Sequence, residues 1–194
     1  MPRIVETIVT TTDAAGTPHI APLGLIEDGD FWIIAPFRPS RTLDNLTANP
    51  CAVASHTGDV RVFAGCVTGR RDWPTAPADV VKGVRLRDAV SHWELAVDHI
   101  SDDAQRPRFH CRIVHAASHA VWSGYNRAEA AVLELAVLTT RLAMLPPEKI
   151  DAELKYLEIA ISKTAGPREL EAWGWLMERV TAFRSGDADA ARKR

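Results

Sequence analysis

The hydrophobic pattern changes period once, near residue 124, and that switch limits what the chain can fold into. From Ile4 to about Trp122, β-branched and aromatic residues recur in short runs broken by Gly, Pro and Asp. From Asn126 to about Arg184, Leu and Ala recur at intervals of three and four. Strands repeat their faces every two residues and helices about every 3.6, so a β-rich half precedes a helical half. A chain of 194 residues accommodates one domain with a sizeable appendage. The expected division is a barrel domain over 1–124, a helical region over 125–185 and a flexible polar tail over 186–194.

The first half reads as an antiparallel meander. Ile4 to Thr12 is a strand, Asp13-Ala14-Ala15-Gly16 a turn with Gly16 free to take positive φ, and Thr17 to Ile26 the return. Asp28-Gly29 opens a second hairpin into Phe31 to Ala35. Ser40 to Asn49 is a short helix that Ser40 can cap and Asn49-Pro50 stops. Ala52 to Ser55 resumes a strand; Val60 to Cys66 fits helix or strand, and Gly69 to Gly83 is loop-rich. Ser91 to His99 and Phe109 to Trp122 are two long strands. About six strands and one short helix make a small closed barrel.

The second half predicts three helices. The first runs from its cap at Asn126, with Glu129 completing a capping box, to about Met144. The second carries the stripe Ile150, Leu154, Leu157 and Ile161. The third begins at Pro167 and carries Leu170, Trp173, Met177, Val180 and Phe183. The fold class is therefore α+β, a barrel with a C-terminal three-helix elaboration.

Composition narrows function. A net charge of −2 gives no global attraction to nucleic acid or to an anionic membrane. No stretch approaches the roughly 20 apolar residues of a membrane span. Met1 to Thr7 lacks the apolar run of a signal peptide, and Cys51, Cys66 and Cys111 form no CxxC pair. Reduced buried thiols and a cytoplasmic location are expected.

The segment Phe37-Arg38-Pro39-Ser40-Arg41-Thr42 carries the chemistry. It follows a strand and opens a helix, where unpaired N–H groups and the helix dipole favour an anion. Ser40 and Thr42 add hydroxyls, and Arg38 and Arg41 add guanidinium groups that grip phosphate with paired bonds. The bland alternative is an ordinary N-cap flanked by solvated arginines. No GxxxxGK[ST] or strand-following GxGxxG is present.

Thr17-Pro18-His19-Ile20-Ala21-Pro22, Asp28-Gly29-Asp30, Pro36 to Thr42, Asn45-Leu46 and Asn49-Pro50 together resemble the FMN-binding split barrel. More narrowly, the chain resembles the family called domain of unknown function four-four-seven. Val5 to Thr11, Asn126-Arg127-Ala128, Glu134, Thr140-Arg141-Leu142 and Lys163-Thr164-Ala165-Gly166 extend the match over nearly the whole chain, with Thr57 to Gly83 matching weakly. The resemblance implies an antiparallel split β-barrel and a homodimer with FMN near the interface. It implies phosphate contacts from Arg38, Ser40, Arg41 and Thr42, and a ring beside the strand that holds His19, Ile20, Ala21 and Pro22. It also suggests a link to C1 or pterin chemistry.

Three functions follow as expectations. The first is an FMN-dependent oxidoreductase acting on a small-molecule substrate, with no catalytic residue assigned. The second is a flavin carrier without turnover, and the third a deazaflavin- or haem-binding split barrel. His19 is either a ring contact or acid–base group, or a plain strand residue. His110, His115 and His119 invite a metal reading, but on a strand His110 faces away from His115 and no carboxylate is spaced to complete a set. No metal site is expected from the sequence.

Overall fold

A computed structural model describes residues 2–186. Residues 187–194 of the expected tail lie outside the described residues. The chain divides into two compact units. One comprises residues up to 57 together with 73–122; the other comprises 58–72 and residues from 123 onward.

The first unit is a closed antiparallel barrel of six strands: β1 (Ile4–Thr12), β2 (Pro18–Asp28), β3 (Phe31–Ile34), β4 (Cys51–His56), β7 (Ser91–Ser101) and β8 (Arg108–Ser118). Their order around the barrel is β1-β2-β3-β8-β7-β4. Gly16 and Gly29 turn the first two hairpins with φ of 85° and 61°, which a residue with a Cβ rarely adopts. Strand alternation sends Val9, Leu25, Ile34, Ala52, Ala54, Leu95, Phe109 and Cys111 inward as one core, joined by Leu46 of helix α1 (Arg41–Ala48). Closure leaves these six strands without a free edge.

The loop-rich stretch before β7 contains a small hairpin, β5 (Thr75–Pro77) with β6 (Val84–Leu86). It lies over the outer face of β1 and β4. There the Thr10 hydroxyl bonds the Val84 carbonyl, and Leu86 N donates to Ser55 Oγ at 3.1 Å. That cover explains why Ile8, Thr10 and Ser55, which point out of the barrel, are buried.

The second unit is helical. Val60–Val67 is a helix, α2, that belongs to this unit, with Val60 and Ala64 in its core. α3 (Arg127–Thr139), α4 (Pro147–Thr164) and α5 (Pro167–Arg184) complete it. Asn126 caps α3 by accepting from Ala128 N at 2.7 Å. α3 stops five residues before the expected Met144; at its end the hydroxyls of Thr139 and Thr140 bond Ala136 O and Val137 O. A short 3-10 turn, Leu142–Met144, follows. The predicted α4 stripe is buried as written. The α5 face is rotated: Ala172, Leu176 and Val180 fill the core, whereas Leu170 is 53% exposed. Trp173, Met177 and Phe183 pack at its margin.

Candidate functional site

The predicted anion segment lies where β3 hands over to α1. Two guanidinium–carbonyl bonds from Arg106 to Ala35 O, at 3.0 and 2.8 Å, fix the end of the strand. The same guanidinium stacks over Phe37, 4.3 Å from the ring centre. Arg38 N donates to Gln105 O at 2.9 Å, so the backbone of the segment is strapped to the β7–β8 connection.

Ser40 is the N-cap of α1: its backbone is extended and its Oγ accepts from Leu43 N at 3.3 Å. The N–H groups of Arg41 and Thr42, in the first turn of α1, have no partner within the helix, since that turn lacks preceding carbonyls. Thr42 is buried at 4% exposure and Arg41 is exposed. Arg38 takes a different course from the sequence expectation. Its Nη2 pairs with Asp102 Oδ1 at 2.8 Å and its Nε donates to Asp103 O at 3.3 Å. The two arginines therefore do not converge: Arg41 stands at the helix start and Arg38 is held by an acidic loop.

The strand holding His19, Ile20, Ala21 and Pro22 meets this segment through β1. Asn45 of α1 donates from Nδ2 to Thr11 Oγ1 at 3.0 Å, and Thr11 is the cross-strand partner of His19. Asn49 Nδ2 donates to Thr12 Oγ1 at 2.7 Å. The two stretches singled out in the sequence thus lie at one end of the barrel. His19 and Ile20 are buried there, while Ala21 and Pro22 are half-buried.

A second polar cluster lies on the outer face of β7 and β8. His92 and Glu94, two residues apart on β7, share that face, and His115 is the direct cross-strand partner of Glu94. Glu94 is fully buried. Its carboxylate accepts from Asp79 N at 2.6 Å, Val80 N at 2.8 Å and Val81 N at 2.6 Å. Burial raises its pKa, but the N–H bonds from Val81, Asp79 and Val80 outweigh that and hold it at about 2. His92, also fully buried, sets Nε2 3.2 Å from Glu94 Oε1 and Nδ1 2.8 Å from His119 Nε2. Burial, and next the charge of Arg85, lower the pKa of His119. His110 is elsewhere, stacked on His99 at 4.2 Å with Nε2 3.1 Å from Ser101 Oγ.

Sequence spacing missed this cluster because its carboxylates come from neighbouring segments, Glu94 across the strand pair and Asp79 from the covering loop. The HxE pair at His92 and Glu94 was the available signal, with His115 and His119 four apart. Arg70 stacks on Trp175 at 4.6 Å within the helical unit, and Arg85, in the barrel unit, bonds the carbonyls of Leu86 and Arg87. Arg141 lies beyond the end of α3, so Glu134 and Arg141 do not share that helix.

A six-stranded antiparallel barrel, entered by a capped helix after its third strand and followed by helices, defines the split-barrel class of α+β proteins. Within that class the chain belongs to the family described as Protein of unknown function (DUF447), whose N-terminal domain matches residues 5–120 and whose other domain matches 126–178. Among solved structures it is similar to the FMN-bound protein MM1853 from Methanosarcina mazei, of the same family. Identity is 23% and TM-score 0.79, over 92% of this chain and 95% of that one. It is also similar to the 2-nitrobenzoate 2-nitroreductase NbaA of Pseudomonas fluorescens, at 20% identity and TM-score 0.51, covering 61% of this chain and 66% of that one. Flavoredoxin from Methanosarcina acetivorans gives 14% identity and TM-score 0.51, over 61% and 69%. No curated protein matches the chain. Among the described residues, no helix is long and apolar enough to cross a membrane.

Proposed function

We propose that this protein binds FMN and holds the phosphate at the start of α1. The observation that carries the reading is the likeness to the FMN-bound family member over 92% of this chain. The local donor set fits a phosphate monoester: first-turn amides, the Ser40 and Thr42 hydroxyls and the Arg41 guanidinium, at the positive end of a helix dipole. Arg38 would join after leaving Asp102, an exchange of one exposed ion pair for another that costs little. The ring would lie along β2, with the half-buried Ala21 and Pro22 offering more surface than His19 or Ile20.

FMN, when bound, supplies hydride or single-electron chemistry; the chain's residues bind it, orient it and keep water from it. An oxidoreductase acting on a small molecule is the reading that best uses such a site. The same reading makes the protein a cytoplasmic homodimer with flavin near the interface, and links it to C1 or pterin chemistry.

The test is the absorbance spectrum of the purified protein, followed by mass spectrometry of the extracted ligand. A flavin spectrum with the mass of FMN is expected, and reduction by NADH, NADPH or reduced deazaflavin distinguishes an enzyme from a carrier. Colourless protein that does not take up added FMN overturns the reading.

A further inference from the structure

Asp79, His92, Glu94 and His115 present one ligand atom each, all within 4.8 Å of one another. None belongs to the anion segment or to β2. We propose that these four residues bind one divalent first-row transition-metal ion, of the zinc type, independently of the flavin.

Spacing is the first support. His92 Nε2 lies 3.2 Å from Glu94 Oε1 and 3.6 Å from Asp79 Oδ2, and His115 Nε2 lies 3.4 Å from that same Asp79 oxygen. Ligands about 2.0–2.1 Å from a tetrahedral zinc ion stand roughly 3.3 Å from each other. Three of the ligand–ligand edges therefore already have the length that a shared ion imposes. Two imidazoles and two carboxylates form a mixed nitrogen and oxygen set suited to such ions and poor for magnesium, which takes oxygen ligands in an octahedron.

Charge is the second. Glu94 is a buried anion and Asp79 a second carboxylate beside it. Among the described residues, the ion-pair partners of both are only His92 and His115. Among the described residues neither carboxylate has a lysine or arginine ion-pair partner. A divalent cation balances both.

The supporting bonds complete the case. Three backbone N–H groups occupy three of the roughly four acceptor positions of the Glu94 carboxylate, and the fourth faces His92 Nε2. A metal-binding imidazole commonly donates its other N–H to a fixed acceptor. The structure provides one, because His92 Nδ1 meets His119 Nε2 at 2.8 Å. The two rings are 5.0 Å apart with planes only 5° from parallel. With that nitrogen–nitrogen distance, they lie edge to edge rather than face to face, the arrangement of an in-plane hydrogen bond. An ion at His92 Nε2 needs the lone pair of that nitrogen, so the single ring proton would sit on Nδ1 and donate to His119 Nε2. Half-exposed Asp79 and His115 leave a route in from solvent.

Metal content of the full-length protein is the first measurement, followed by removal of metal with a chelator and titration with zinc against a competing indicator. One ion per chain is expected, with an accompanying rise in Tm. Cobalt in place of zinc should give the visible absorption of a low-symmetry, four-coordinate site. The double variant Asp79→Asn with His115→Ala alters partly exposed side chains and so tests the site without emptying the core. It should keep its circular dichroism and weaken zinc binding more than about 100-fold, whereas His119→Ala should weaken it by about 10- to 100-fold. Absence of saturable one-to-one binding, or binding unchanged in the folded double variant, overturns the proposal. Neither outcome depends on flavin, which is measured separately at its own absorbance.

Discussion

Asn45 donates its side-chain amide to the hydroxyl of Thr11 at 3.0 Å, and both residues are almost wholly buried. The bond ties the helix behind the anion segment to the strand beside His19. Together with the bond from Asn49 to Thr12, it makes α1 straddle the end of β1, one asparagine on each face of the strand. The direction of the α1 dipole is thus set by the barrel wall, not by the short helix alone.

Replacing Asn45 by Ala removes that tether and leaves the Thr11 hydroxyl buried without this donor. A loss of about 1–3 kcal/mol is expected, as for other unsatisfied buried polar groups. Chemical denaturation should show it as a lowered midpoint with an unchanged slope. If the tether also aims the anion segment, FMN affinity should fall in the still-folded variant. A stability loss with unaltered FMN binding would separate the two roles.

The double substitution of Ser40 and Arg41 by Ala should abolish flavin retention and leave the barrel folded. Hydrogen bonds to a charged group contribute about 1.5–3 kcal/mol each, so losing two weakens binding by about 100-fold or more. The missing cap itself should cost only about 1 kcal/mol. Flavin occupancy after gel filtration, with circular dichroism as the folding check, decides it. Full occupancy in the variant would place the phosphate elsewhere.

Much of this architecture is legible in the sequence because local chemistry agrees with the fold. Gly16 and Gly29 mark the hairpins, Ser40 the start of α1, Asn126 the cap of α3, and Pro167 the first residue of α5. Harder features depend on partners far away in sequence. Val60–Val67 is helical because it packs in the helical unit, and its apolar run alone does not distinguish helix from strand. Leu170 continues the helical spacing of α5, yet the face that packs is the one carrying Ala172 and Leu176, whose small and large side chains fit the neighbouring helices. The Asp79, His92, Glu94 and His115 cluster depends on the register of β7 against β8, with an irregularity just after Glu94, which no single strand discloses. At the anion segment, spacing marked both arginines but not the competing carboxylate of Asp102.

The cysteines make a chemical test of the two cores. Burial raises Cys66 to about 11 and Cys111 to about 12, and burial also raises Cys51, which is only half-buried. The thiolate is the reactive form, so at about pH 8 Cys66 and Cys111 should be inert to a thiol reagent while the protein is folded. Slow reaction at Cys51 alone is expected, with all three thiols reacting in denaturant. Simultaneous reaction of three thiols in native protein would mean that one or both cores open readily.

Glu94 makes the barrel acid-sensitive in a defined direction. Its folded pKa of about 2 lies below the usual 4.5, so the folded state favours the carboxylate. The resulting stability is complete above about pH 4.5 and is lost progressively as pH falls toward about 2. The shift corresponds to about 3 kcal/mol at most. The physical source is the trio of N–H groups from 79–81, so the same loss should loosen the loop that leads into β6. Unfolding free energy measured on chelator-treated protein from about pH 7 to pH 3 should therefore fall steadily below pH 4.5. Glu94→Gln should be less stable at neutral pH, because one of its oxygens becomes an NH₂ group facing backbone donors. Its profile over the acid range should also be flatter than that of the parent. Parallel profiles for the two proteins would show that other carboxylates govern the acid limb.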